Sequence, residues 1–179
     1  MGTNLGVRRV ATVRPEEESF EALFKAEYGR VAGIANRVLA DTHEAEDVAQ
    51  EVFIDFHRLH SASAQYAPAW LHRAAAHTAL NRLRGARRRQ RREVAQAAEE
   101  TDRTIDPQKL LEVSEDRRAL RQALARLAPK PAAVLVLRAS GLSYGEVAQA
   151  LGVGIGQVGT LLRRAEAALR KEVVRGTSI

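Results

Sequence analysis

Ser143-Tyr-Gly-Glu-Val-Ala-Gln-Ala-Leu-Gly-Val-Gly-Ile-Gly-Gln-Val-Gly-Thr-Leu-Leu-Arg-Arg-Ala-Glu-Ala-Ala-Leu169 reads as two helices joined by a tight turn. Ser143 is a good N-cap, and Glu146, three residues on, completes a capping box. Val147, Ala148 and Leu151 follow at helical spacing, and Gly152 permits the left-handed conformation that ends a helix. Ile155, Val158, Leu162, Ala165 and Leu169 then recur at three- and four-residue steps, an apolar stripe on a second helix. A short capped helix, a glycine turn and a longer helix carrying Arg163 and Arg164 form a helix-turn-helix suited to the DNA major groove. The same pattern also fits an ordinary helical hairpin inside a bundle.

The chain has 179 residues, 45% of them hydrophobic and 4% aromatic, enough for one large or two small helical domains. No alternating strand pattern stands out. With no cysteine, disulfides and thiolate metal sites are excluded. No apolar run suggests a signal peptide, and none approaches the roughly 20 residues of a membrane span. A cytoplasmic location is expected.

The net charge is +6, and seven arginines with no acidic residue lie between Arg82 and Arg92; without them the net would be −1. The basic character is one patch, dense enough for a polyanion such as nucleic acid. Alternatively it is a solvated charge run.

Residues 1–18 read as a flexible extension. A helix is expected from Phe20 to Leu39, weakened or kinked at Gly29 and Gly33. The next, from Thr42 to about Leu59, has Asp41 and Thr42 as candidate N-caps, with Glu44 positioned to complete a capping box with Asp41. Ala45, Val48, Ala49, Val52, Phe53 and Phe56 share its buried face. Glu44, Asp47, Glu51 and Asp55 stack on another face, where like charges repel. Such a stripe either meets a basic partner or is solvated, and spacing alone does not choose. After a short loop, 61–68, Pro68 suits the first turn of a third helix. Trp70, Leu71, Ala74, Ala75, Thr78 and Leu83 supply its packing face, with Trp70 as a core anchor, while Arg73, His77, Asn81, Arg84 and Arg88 form a basic and polar stripe. From Glu93 to Asp106 acidic residues replace the periodicity, which reads as a flexible linker. A helix over about 110–127, punctuated by Pro129 and Pro131, and another from Pro131 to Ser140 precede the helix-turn-helix. The expected architecture is all-α: two small helical domains, 19–92 and 110–175, on a flexible linker, 93–109, with a tail at 176–179. The second domain is a four-helix, homeodomain-like or winged-helix-like unit.

No catalytic constellation is expected. There is no glycine-rich phosphate loop after a strand. His57 and His60 could share a helix face, but lack a third ligand, and the carboxylates form a stripe rather than a converging pair. No metal, cofactor or enzymatic activity is assigned.

Three motifs together carry a family resemblance. Glu44-Ala-Glu-Asp-Val-Ala-Gln-Glu-Val-Phe53 resembles the best-known motif of bacterial sigma factors, in their region two. Ala69-Trp-Leu-His-Arg-Ala-Ala-Ala-His-Thr-Ala-Leu-Asn-Arg-Leu-Arg84 is similar to the adjoining promoter-melting helix. Leu142-Ser-Tyr-Gly-Glu-Val-Ala-Gln-Ala-Leu-Gly152 resembles the first half of region four. Length and layout are similar to the extracytoplasmic function (ECF) group, which keeps only these two regions. The resemblance covers about residues 19–174. It implies an alternative sigma factor that binds core RNA polymerase, recognises a two-part promoter and helps to melt it. Asp47, Gln50 and Glu51 are then core-polymerase contacts, and Phe53, at a matching position, supports them by packing. Arg73, His77, Asn81, Arg82, Arg84, Arg87 and Arg88 are candidates for the minus-ten element, with Arg87, Arg88 and Arg89 on phosphates. Ser143, Tyr144, Gln157, Thr160, Arg163 and Arg164 are candidates for the minus-thirty-five element. An anti-sigma factor is a common partner in the group.

The chain departs from the family pattern at Ala76 and His77, often Arg and Asn, in the short loop 61–67, and at Gly154, Gly159 and Leu161, often Ser, Lys and Arg. Weaker contacts from the second lobe are therefore expected. Two other readings of the chain are a stand-alone helix-turn-helix regulator and a sigma-like protein acting through protein–protein contacts.

Overall fold

The computed structural model describes residues 15–99 and 115–177; these contain seven helices and no strand. Helix α1 (Pro15–Leu39) starts earlier than the sequence pattern predicts, taking in part of the expected extension. Proline pre-sets the backbone of a first helical turn, and Glu16, Glu17 and Glu18 meet the positive end of the helix dipole. Neither Gly29 nor Gly33 breaks α1. Its buried face (Val31, Ile34, Ala35, Val38) packs against both neighbouring helices and offsets the glycine penalty. Helix α2 (Thr42–Leu59) is capped by Asp41, whose Oδ1 accepts from the Glu44 N–H at 2.9 Å. All six residues expected on its buried face are buried. Between the two helices Ala40 takes φ +54°, a left-handed position where glycine is usual.

Helix α3 (Ala67–Glu99) is 33 residues long, about 50 Å at 1.5 Å per residue. It continues through Glu99, across the first half of the acidic stretch expected to be a linker from Glu93. The Ala, Arg, Gln and Glu residues there are strong helix formers. Residues 91–96 are exposed, so no apolar stripe marks this part of the helix. The rest of that stretch, 100–114, lies outside the described residues, as do 1–14 and 178–179.

Helices α4 (Glu115–Arg126), α5 (Pro129–Ala139), α6 (Tyr144–Leu151) and α7 (Ile155–Thr177) form the second lobe. Pro129 and Pro131 both lie in the first turn of α5, where a missing N–H costs little. The capping box of α6 is complete: the Glu146 N–H donates to Ser143 Oγ at 3.2 Å, and the Ser143 N–H to Glu146 Oε2 at 2.7 Å. Gly152 closes α6 at φ +62°. Val158 and Ala165 of the α7 stripe are buried, but Ile155, the first residue of the helix, is exposed. Gly154 precedes α7 and so does not weaken that helix, whereas Gly159 lies within it.

The two lobes pack against each other rather than hanging apart on a tether. Helix α3 contacts α4, α5 and α6, and α1 contacts α5. Each lobe also caps a helix of the other. Arg84 Nη2 donates to the Leu127 carbonyl, just past α4, at 3.1 Å, and Arg121 Nη1 donates to the Leu39 carbonyl that ends α1 at 2.8 Å. Helix C-termini leave carbonyls without intrahelical donors, and arginine satisfies them well. An ion pair, Arg30 Nη1 to Glu146 Oε1 at 2.7 Å, adds a third link.

Candidate functional site

The first face lies on α2. Asp47, Gln50 and Glu51 are exposed side by side because the opposite side of the helix, from Ala45 to Phe56, faces the core. Phe53 points the other way. It is 2% exposed and sits against Phe24 (ring centroids 4.9 Å apart), Phe20 (6.2 Å, edge-on) and Tyr28 (6.2 Å). It sets the pose of the face without being part of its surface. Ile54, absent from the expected contacts, is 51% exposed one turn beyond Gln50. Its signal was an apolar residue out of phase with the buried stripe.

The second face lies on α3, and the structure divides its candidates between two stripes. Arg82 and Asn81, with Thr78, Gly85 and Arg89, form one wall of a groove of about 550 Å³; Glu44, Asp47 and Glu51 form the other. Arg82 Nη2 donates to Glu51 Oε2 across it at 2.8 Å. Arg73 and His77 instead line a groove of about 350 Å³ with Trp70 and Ala74. Trp70 also packs on Phe56 and His60, so it serves both the core and the groove wall. Burial, then the charges of Arg73 and Arg84, hold His77 below the ordinary imidazole value. The neutral ring is thus favoured. Arg84 is engaged by the second lobe, and its Nη1 reaches Asn81 Oδ1 at 3.4 Å. Burial lowers Arg87, followed by the nearby charges of Arg91 and of Arg126 in the second lobe. Arg88 and Arg89 are exposed. Ala76, at a departure from the family pattern, is fully buried and presents nothing to a ligand.

The third face is the helix-turn-helix. Thr160, Arg163 and Arg164 are exposed on α7, and Gln157, Thr160 and Arg164 share a groove of about 330 Å³ with Lys130, Gly156 and Leu161. Lys130 is an unanticipated cation here, brought in from α5 by the fold. Gln157 is partly occupied: its Oε1 accepts from the Gly154 N–H at 3.2 Å and so covers the start of α7. Tyr144 is half exposed with the Arg138 guanidinium 5.0 Å from its ring centre. Ser143 is exposed, but its hydroxyl is used in the capping box. The Ser143 hydrogen bonds, and then Arg30, hold Glu146 below the usual carboxylate range.

Among the described residues no three His, Cys, Asp or Glu side chains converge as they would around a metal. No described helix is long and apolar enough to cross a membrane.

An acidic helix beside a long basic one, followed by a helix-turn-helix, makes this a two-lobed helical protein with faces suited to a basic partner and to nucleic acid. The model of Sigma-70 region 2 matches residues 23–89, and that of Sigma-70, region 4 matches residues 117–169. The chain belongs to the ECF sigma factor family. It is 31% identical over 169 residues to the ECF RNA polymerase sigma factor SigE of Mycolicibacterium smegmatis, a match covering 89% of this chain and 63% of that relative's length. To the RNA polymerase sigma factor YlaC of Bacillus subtilis it is 30% identical, over 88% of this chain and 94% of the relative. To the RNA polymerase sigma-H factor of Pseudomonas aeruginosa it is 31% identical, over 88% of each. Among solved structures, the sigma factor RpoE in complex with the anti-sigma factor NepR from Bartonella quintana aligns over 87% of this chain and 97% of that one, at 20% identity and a TM-score of 0.49.

Proposed function

We propose that this chain is an alternative sigma factor that binds core RNA polymerase through the exposed face of α2, directs it to a two-part promoter and aids melting through α3. Family membership supports the role, and the opposition of the α2 carboxylates to the α3 arginines carries the assignment of faces. Glu44 and Asp47 repel each other on the free surface, Glu51 being paired with Arg82, and a basic partner surface relieves that repulsion. Beside it, Trp70, Arg73 and His77 offer an aromatic wall and cationic or protonatable groups. Unpaired bases and their phosphates are held by this combination of stacking and charge. Arg163, Arg164 and Thr160 of α7 face outward for the second element. The role needs no catalytic group of the chain's own. An anti-sigma partner rests on family membership alone.

Promoter binding requires the lobes to part. Elements named for positions ten and thirty-five lie about 25 base pairs apart, roughly 85 Å at 3.4 Å per pair. Lobes in contact through α3, α5 and α6 cannot reach both.

The test is binding to purified core polymerase, followed by transcription from a matched promoter. Asp47→Lys with Glu51→Lys is expected to abolish core binding while leaving the helical content intact. A wild-type chain that binds DNA specifically without polymerase, and ignores core, would instead be a stand-alone regulator.

A further inference from the structure

Glu51 and Arg82 are assigned above to different partners, yet they are bonded to each other. Arg82 Nη2 lies 2.8 Å from Glu51 Oε2, with the two side chains 33% and 49% exposed. Of the three carboxylates on that wall of the groove, Glu51 is the one with a cationic partner within salt-bridge distance among the described residues. A basic surface seeking the stripe therefore meets Asp47 unpaired but Glu51 already neutralised. Arg82, held toward α2, is correspondingly withdrawn from any phosphate. Two cations crowding one carboxylate repel, so the arriving partner and Arg82 compete for the same oxygens.

We propose that Arg82 is a coupling residue shared by the two faces: core polymerase, by taking Glu51, releases the Arg82 guanidinium to a promoter phosphate. The neighbouring positions make the handover short. Arg82 follows Asn81 and lies two turns before Arg89 on the same groove wall, and Gly85 between them leaves the wall low. By reciprocity, whatever core gains in DNA affinity through Arg82, DNA returns as core affinity. In the free chain Arg82 thus weakens core binding, although it sits on the polymerase-facing groove.

The inference rests on the sigma-factor reading, and the experiment separates the two. Core affinity is measured for the wild type and for Arg82→Met, which keeps the aliphatic stem and removes the charge. Promoter affinity of the reconstituted holoenzyme is measured beside it. Core binding is expected to tighten roughly 1.5- to 5-fold, the range of an exposed ion pair, and more at low salt. Holoenzyme binding to the promoter is expected to weaken. Unchanged or weaker core binding by a variant with wild-type melting behaviour overturns the coupling, leaving Arg82 as a DNA contact or a structural residue only. If the wild type itself fails to bind core, or Asp47→Lys with Glu51→Lys binds as well as the wild type, the sigma-factor reading falls, and the coupling with it.

Discussion

Replacing Phe53 separates packing from contact at the polymerase face. The ring is 2% exposed and is enclosed by Phe20, Phe24 and Tyr28, with centroids 4.9 to 6.2 Å away. Truncating a buried Phe to Ala removes its transfer free energy and leaves a cavity, together costing about 3–5 kcal/mol. For a chain of this length each kcal/mol lowers the melting temperature by about 2–4 °C, so Phe53→Ala is expected to melt roughly 6–20 °C lower. Phe53→Leu refills part of the space and should cost about 1 kcal/mol. Melting is followed by circular dichroism, and core binding is measured well below the transition. Phe53→Leu should bind core like the wild type, because Asp47, Gln50 and Glu51 keep their places. An Ala variant that melts like the wild type but loses core binding would refute the reasoning, since Phe53 would then be a contact hidden by a mobile α1.

Ala40→Gly relieves a left-handed backbone at φ +54° and is expected to stabilise by about 0.5–1 kcal/mol, read as a higher urea midpoint. His77, held below its ordinary value by burial and by Arg73 and Arg84, is easier to protonate once DNA phosphates offset those charges. DNA binding should therefore take up a proton and tighten as pH falls below about 6.5, with His77→Gln flattening the profile. In the free chain the sign is opposite: stability is full above the unfolded imidazole value and erodes as pH falls below it. Arg163→Ala with Arg164→Ala should lower output from promoters with a minus-thirty-five element and reduce the salt slope of DNA binding by up to about 2. Arg121→Met removes a lobe-to-lobe cap without touching a DNA candidate. It should lower the melting temperature yet raise promoter binding by the chain, and a fall in binding would mean the packed lobes do not oppose DNA.

Features written in local pattern were readable in the sequence. Ser143, Glu146 and Gly152 announce their helix because a capping box and a left-handed stop involve residues three to nine apart. The buried face of α2 followed its period without exception. The start of α1 is also marked, by Pro15 and three glutamates, but it lacks apolar residues, so hydrophobic period does not distinguish it from an extension. The far end of α3 failed for a related reason: it is held by propensity, not burial, and hydrophobic period is silent there. The lobe contact could not be read at all. Its acceptors are the Leu39 and Leu127 carbonyls, and a backbone oxygen has no letter in a sequence. The division of the α3 arginines had the same origin. Helical spacing puts Arg82 and Arg84 on different sides of α3, but only the positions of α2 and α4 say what each one meets.

Counting charges overstates what this protein offers to DNA at first encounter. Of the seven arginines between 82 and 92, Arg82 is spent on Glu51 and Arg84 on the Leu127 carbonyl. Each is therefore available only after something else has moved, α2 meeting a partner in one case and the lobes parting in the other. The free energy of those movements is subtracted from promoter binding: an apparent affinity is the intrinsic one scaled by the fraction of molecules in the competent state. A guanidinium that must be released by polymerase cannot contribute to binding in its absence. Selectivity for promoter DNA over bulk DNA then follows from where the arginines are parked as well as from which bases they reach. A chain whose arginines were all free would bind phosphates everywhere, with or without core. Pairing them inside the fold makes non-specific binding weak while leaving the same charges available to the assembled holoenzyme.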